Sequence, residues 1–350
     1  MVNIGITFAV GLVGGLLFSF LYIPLPWMLG PLAGITLLSS CTKITAHWPN
    51  GLRNAGLLVL GYLMGRPFTP AAGQQILHQL PLMLGMTAIL MLFSLAIGQF
   101  TARRTGMSLS SCVLGTVPGG LSQMVLLGEE IPGVDAAIVT FMQTVRLIMV
   151  VSTIPFLLSR GFAGEAAPPL PQPPVADASL EFLLPYAVAV IVGALAATWL
   201  RLPTPYLLGP ILATCVLVLS GLPAPALPSR VTVAAQLFVG IYMGVRIKLD
   251  NITQCRAVVP YTLFNVGGVL LLSLGLGYGL AKYTSASLVT GFLSTAPGGM
   301  TEMGLAALLY GADLTTVISY HLFRLLFILL IVPIFLKTWL GATRPDSGPA

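Results

Sequence analysis

Charge is scarce in this chain. Asp, Glu, Lys and Arg make up 7% of its 350 residues, where a soluble domain carries about 25%. That shortage excludes a solvated surface around a globular core, and together with 56% apolar residues it leaves a polytopic membrane protein. No polar stretch is long enough to fold as a separate soluble domain, so an extramembrane catalytic unit is excluded and enzyme activity is not expected. His47, His78 and His321 lie in three separate segments, and nothing resembles HExxH or a carboxylate-histidine cluster. Cys41, Cys112, Cys215 and Cys255 stand alone, without the CxxC spacing of a thiolate site or the pairing of a disulfide framework. No metal and no cofactor are expected. A nucleophile elbow is missing too, which argues against a hydrolase. The net charge is +6, but the 16 Lys and Arg are scattered singly or in pairs, so the concentrated basic face that nucleic acid requires is absent.

What is present is apolar length. The first half reads as six apolar segments, roughly 4–22, 27–41, 52–66, 80–101, 107–128 and 134–159. Residues 4–20 could pass for a signal peptide, but they lack a basic n-region and a small-residue cleavage site, so they are expected to be retained. From Gly161 to Ser179 the chain carries Pro168, Pro169, Pro171, Pro173 and Pro174 with Glu165 and Asp177, which reads as an extended, solvated linker. The expected organisation is a membrane repeat at 1–160, a Pro-rich linker at 161–180, a second membrane repeat at 181–341 and a tail at 342–350.

After the linker the same order returns in one register. Pro24, Pro26, Gly30 and Pro31 recur as Pro203, Pro205, Gly209 and Pro210, and Gly61, Met64 and Gly65 as Gly240, Met243 and Gly244, all displaced by 179. Gly133, Asp135, Arg146 and Pro155 recur as Gly311, Asp313, Arg324 and Pro333, displaced by 178. Shared apolar composition would not hold one register through prolines, glycines and an arginine, so an internal duplication is expected. The fold class is therefore all-α and polytopic, with two homologous halves of five to six segments each. If all six segments cross, Lys and Arg outside Arg146 and Arg324 divide nine to five in favour of the side with both termini; if the short second segment is re-entrant, the halves invert and the division is eight to six. Inversion is the expectation, because it brings the two breaks described next toward one depth.

One phrase is said twice, Thr116 to Met124 and Thr295 to Met303, and each copy contains Pro-Gly-Gly: Pro118, Gly119 and Gly120, then Pro297, Gly298 and Gly299. Proline removes a backbone donor and the glycines loosen the chain, so each segment should break within the bundle interior, where protein or a cavity can satisfy the freed backbone groups. Interrupted helices at equivalent places in two halves are a pattern of secondary transporters. Arg146 and Arg324 stand near the middle of apolar stretches, where an arginine costs about 2.5–3.5 kcal/mol. Two readings stay open for them: a guanidinium that donates to carbonyls freed at the break, or a fork that binds an anion or carboxylate. Three residues earlier, on the same helical face, lie Gln143 and His321. Five residues after each proline stand Gln123 and Glu302, candidate partners of the arginines at the start of a new helix. The second half thus holds titratable groups where the first holds amides, and proton coupling through that half is one expectation. Asp135 and Asp313 read as N-caps.

Over nearly its full length the chain resembles the AbrB family of bacterial inner-membrane proteins. The resemblance rests on the two Pro-Gly-Gly phrases, on the Asp135–Arg146 stretch with Phe141-Met142-Gln143, and on Asp313–Arg324, which departs by reading Tyr320-His321-Leu322. Members are described as regulators of expression of an alkylation-response flavoprotein, as transporters, or as ammonia monooxygenases; the last label needs clustered metal ligands that this sequence lacks. The transcription factor that shares the family's name is a different protein. The resemblance implies a multi-pass inner-membrane protein that moves a small molecule, with a membrane regulator as the alternative. The expected partners are the lipid bilayer, a small anionic substrate and protons, with a homo-oligomer left open.

Overall fold

The computed structural model describes residues 2–23, 25–42, 45–68, 70–119, 124, 131, 133–161, 180–202, 204–247, 258–284 and 286–342. Among these there are thirteen helices and no strand. The first half holds α1 (Val2–Phe20), α2 (Pro26–Cys41), α3 (Asn50–Gly65), α4 (Pro70–Thr105), α5 (Leu109–Thr116) and α6 (Ala136–Gly161). The second holds α7 (Leu180–Trp199), α8 (Pro205–Leu219), α9 (Ser229–Arg246), α10 (Val259–Thr284), α11 (Leu288–Thr295), α12 (Met300–Leu309) and α13 (Leu314–Ala342). The Pro-rich linker, the tail beyond 342, Pro24, Pro203, Gly120 and Gln123 lie outside the described residues. One expectation is corrected: residues 70–79 are the first turns of α4, not a loop. Proline suits a helix start, and Gln74, Gln75 and His78 leave the helical pattern intact.

Among the described residues, four helices are long and apolar enough to cross a membrane. The outward faces of the helices are greasy: Phe20, Trp199 and Leu271 are 81%, 83% and 70% exposed, while Thr7, Ser94, Thr101, Thr214 and Ser273 are fully buried. A soluble protein hides such apolar groups, so this distribution suits a hydrocarbon solvent.

The chain divides into two compact units, and each draws on both halves. The first unit contains α1–α3, α7–α9 and α12, with the adjoining ends of α4, α6 and α13. Small residues set its packing. A Cβ on Gly30 would strike the Gly14 carbonyl, and one on Gly209 would strike Gly193, so α1 meets α2 and α7 meets α8 with backbones nearly touching. Gly240 and Gly244 lie on the Met28 and Leu32 carbonyls, and Gly61 and Gly65 on those of Leu207 and Ile211. Number rises with number in these pairs, so α9 runs parallel to α2 and α3 parallel to α8. Gly56 lies on Ala235, and Arg53 lies over Tyr242, so α3 and α9 run antiparallel. Within this unit α1, α3 and α8 therefore point one way, and α2, α7 and α9 the other. The chain reverses between α1 and α2 through left-handed Tyr22 and Leu25, and between α7 and α8 through left-handed Arg201 and Thr204, again 179 residues on.

The second unit contains most of α4, α6 and α13 together with α5, α10 and α11. Thr116 Oγ1 donates to Ser94 O at 2.9 Å and Thr295 Oγ1 to Ser273 O at 2.7 Å, which staples α5 to α4 and α11 to α10. Gly98 on Val113 and Gly277 on Phe292 make each pair antiparallel. By contrast α5 and α6 are parallel: Leu114 pairs with Gln143, and Val117 with Arg146. The Asp135 N–H donates to Ser111 Oγ at 2.7 Å, so by the start of α6 the chain is back beside the first turn of α5. In the second half Leu293 pairs with His321 and Ala296 with Arg324, which makes α11 and α13 parallel in the same way. In the first half the chain thus leaves the far end of α5 at Val117–Gly119 and stands beside the start of α5 again at Asp135, as a re-entrant segment would. The short second segment is not the re-entrant one: α2 packs antiparallel along α1, and the His47 N–H beyond it reaches Thr7 Oγ1.

Gly30→Leu or Gly209→Leu should destabilise the protein by about 3 kcal/mol through overpacking. Gly5→Leu, where nothing stands within 4 Å of the new Cβ, should not. Thermal unfolding of the three variants in one detergent checks this.

Candidate functional site

Each break begins where a short helix ends in apolar surroundings. Ser108 and Ser287 cap α5 and α11, their hydroxyls accepting from Ser111 N and Thr290 N at 3.3 and 3.1 Å. Eight residues later both helices stop, and Val117–Gly119 and Ala296–Gly299 are not helical. Val117, Pro118, Gly119, Ala296 and Pro297 are buried, Gly298 is half-buried and Gly299 exposed. A helix that ends inside a bundle leaves carbonyls without partners and presents the negative end of its dipole.

In the second half these carbonyls are taken up by α13. Arg324 Nη1 donates to Ala296 O at 2.8 Å and Thr295 O at 3.3 Å, and Nη2 donates to Gly298 O at 3.0 Å. Nη2 also lies 2.7 Å from His321 Nδ1, and His321 Nε2 lies 2.8 Å from Leu293 O. Guanidinium only donates and a carbonyl only accepts, so Nδ1 must be bare and the proton must sit on Nε2. His321 is thereby held as one neutral tautomer between the helix end and the arginine.

The first half repeats the arrangement with an amide. Gln143 Nε2 donates to Leu114 O at 2.7 Å and Val117 O at 2.9 Å, and Arg146 Nη1 donates to Val117 O at 2.7 Å. These carbonyls and donors are displaced from their second-half equivalents by 179 and 178. Gln143 Oε1 is buried without a hydrogen-bond partner among the described residues, whereas the matching atom, His321 Nδ1, takes the Arg324 bond. Both arginines are more than nine-tenths buried, and neither reaches out to a headgroup region.

The structure thus brings Pro118, Gly119, Gln143 and Arg146 together at one break and Pro297, Gly298, His321 and Arg324 at the other. The two breaks are neighbours within the second unit: Gly119 lies against Ile328, one helical turn beyond Arg324. The carbonyl-holding reading of the arginines is what the geometry displays; the bonds of Arg324 go to three carbonyls and an imidazole. Glu302 is buried in the first turn of α12 and belongs to the first unit. Asp135 and Asp313 do cap α6 and α13, accepting from Ala137 N at 2.8 Å and Thr315 N at 3.0 Å. The Ser94–Thr116 and Ser273–Thr295 staples were missed in reading the sequence. Their signal was available, since both serines and both threonines keep the 179 displacement.

The family model described as "Transition state regulatory protein AbrB" matches residues 27–340, most of the chain and both breaks. The chain belongs to the AbrB family. A relative in Escherichia coli (strain K12), "Putative regulator AbrB", is 27% identical over 322 residues, covering 90% of each protein. Another in Bacillus subtilis (strain 168), "Uncharacterized protein YhjN", is 24% identical over 356 residues, covering 94% of this chain and 91% of that one. Family membership therefore spans the whole two-half architecture rather than one segment of it.

Arg324→Leu would strip the Ala296 and Gly298 carbonyls of the donor that Arg324 gives them and leave the Thr295 carbonyl with the Ser273 hydroxyl alone. It should cost about 3 kcal/mol or more, read as a loss of thermal stability. In 15N-labelled protein, His321 should give the ring-nitrogen shifts of a neutral imidazole protonated at Nε2.

Proposed function

We propose that this protein is a secondary transporter or exporter of a small anionic molecule in the bacterial inner membrane. The observation that carries this reading is the pair of buried Pro-Gly breaks meeting inside one compact unit, Gly119 at Ile328 and Gly298 at Arg324. Interrupted backbone deep in an apolar bundle exposes oriented N–H and C=O groups that a ligand can use, and such breaks mark transporter binding sites. An anion is favoured because the buried formal charges of this unit among the described residues, Arg146 and Arg324, are both positive.

The topology that accompanies this reading follows from the re-entrant fifth segment. Six apolar segments then make five crossings per half, and an odd number inverts the second half. The opposite directions of α1–α3 and α7–α9 support the same conclusion. On this topology Lys43, Arg53, Arg103, Arg104, Arg201, Arg246, Lys248, Arg256, Lys337 and Arg344 fall on the side of both termini, and Arg66, Arg160, Arg230 and Lys282 on the other. An excess of ten to four assigns the first side to the cytoplasm.

Proton coupling belongs to the second half in this reading, since Glu302 and His321 replace amides there. A proton added to His321 Nδ1 displaces the Arg324 Nη2 bond, which links protonation to the group that holds Gly298. The second reading, a membrane regulator that transports nothing, is favoured by the regulator name of the Escherichia coli relative. No chemical transformation is assigned in either.

Reconstituted vesicles loaded with a panel of small carboxylates and phosphates should show flux of at least one, accelerated by a pH gradient. Folded protein that moves none of them supports the regulatory reading. Glu302→Gln with His321→Gln should leave a folded protein whose flux no longer responds to the gradient; an unchanged pH response removes proton coupling from this half. A reporter fused after Ala350 should be active in the cytoplasm.

A further inference from the structure

One end of the first unit carries positive charge that no described carboxylate neutralises. The Arg53 guanidinium lies 4.7 Å from the centre of the Tyr242 ring and that of Arg246 lies 5.4 Å from it, so two cations share one aromatic ring. Each attraction is worth about 0.5–1 kcal/mol at an exposed site. Arg246 Nε donates to Tyr242 Oη at 2.9 Å, which leaves its two terminal amino groups unspent among the described residues. Arg53 spends Nη1 on Asn54 Oδ1 at 3.2 Å. Among the described residues no carboxylate pairs with either arginine, and the remaining guanidinium N–H groups have no acceptor.

The surroundings are those of a membrane boundary. Arg53 lies in the first turn of α3 and Arg246 in the last turn of the antiparallel α9, so both stand at the same end of the unit. Trp48 stacks on Phe8 with ring centres 6.2 Å apart and meets Phe238 at 5.7 Å, which adds an aromatic layer beside Tyr242. The indole Nε1 of Trp48, 6% exposed as a residue, is a buried donor without an acceptor, just before α3 begins. Pro49 precedes that helix, and no side chain caps its N-terminus. Donors predominate at this end of the unit, and among the described residues these have no acceptor.

The geometry points to a phosphate-binding site formed by Arg53 and Arg246 on Tyr242, at the edge of the hydrocarbon, suited to the headgroup phosphate of an anionic phospholipid. Two planar forks fixed by one ring can each offer paired N–H groups to phosphate oxygens, and the aromatic layer meets the start of the acyl chains. The site stands on geometry in the first unit and does not depend on transport.

The test uses the full chain in detergent micelles, with short-chain phosphatidylglycerol and phosphatidylcholine at equal concentration, and counts retained lipid by native mass spectrometry. Each arginine near an anionic surface contributes about a fivefold factor, so wild type should prefer phosphatidylglycerol by roughly 30-fold. Arg53→Gln with Arg246→Gln should reduce the preference to near unity. The single Arg246→Gln, at an exposed position, should reduce it about fivefold and covers the case in which the double variant does not fold. Arg103→Gln with Arg104→Gln, equal in charge change, should leave the preference intact. If inorganic phosphate at millimolar concentration displaces the lipid, the site takes a soluble phosphate; if it does not, the occupant is the lipid. A preference that survives in the folded Arg53 and Arg246 variants, or falls equally in the Arg103 and Arg104 variant, overturns the assignment.

Discussion

A carbonyl that has lost its helical partner inside an apolar bundle must find another donor, and the second unit is arranged around that need. A bare buried acceptor costs about 1–3 kcal/mol, and each break frees several. Water cannot supply the donors from within hydrocarbon, so side chains on a neighbouring parallel helix do. The parallel course of α5 with α6, and of α11 with α13, brings Gln143 and His321 opposite the last helical turn and the arginines opposite the break itself. Burial of Arg146 and Arg324 is thus explained by what they hold. The cost of placing a guanidinium in the membrane is offset by carbonyl dipoles aimed at it, and the negative helix end adds to the same attraction.

The first unit solves a different problem with different material. Its helices run on without a break, with Pro31, Pro185 and Pro210 each leaving one carbonyl short of its helical donor, and cohesion comes from approach distance. Gly14 against Gly30 and Gly193 against Gly209 let carbonyls meet the facing backbone, where dispersion is greatest and lipid gives no competing hydrophobic drive. Glycines at 61, 65, 240 and 244 then carry the same close packing across the two halves, since α3 rests on α8 and α2 on α9. One unit is held by shape and the other by directed hydrogen bonds.

Much of this was legible in the residues. The register, the two breaks, the capping aspartates and the inward arginines all follow from proline, glycine and charge placed in apolar runs, because those residues have few structural uses there. What the sequence left undecided was direction. Hydropathy finds segments without saying which of them turns back, and the second segment looked the better candidate because it is short. The hydrogen bond from Asp135 N–H to Ser111 Oγ, a contact between residues 24 apart, is what favours the fifth in the topology proposed above. No periodicity encodes such a contact. The length of α4 was hidden for a related reason: Gln74, Gln75 and His78 are polar enough to suggest a loop, yet glutamine is a good helix former and Pro70 is well placed to start one.

The halves share a register but not an energy. Gln143 brings two N–H groups and satisfies Leu114 and Val117 together, which leaves its own oxygen buried without a donor among the described residues. His321 brings one N–H and satisfies only Leu293, so Ala296 falls to Arg324, and the bare imidazole nitrogen closes the network by accepting from that arginine. Each half therefore resolves the same geometry with a different remainder: an open acceptor in the first, a proton-dependent bond in the second. Two breaks that were chemically identical would respond alike to any ligand or pH change. Replacing an amide by an imidazole at one position makes only the second break sensitive to protonation, and makes only the first able to accept a further hydrogen bond without losing one it already has.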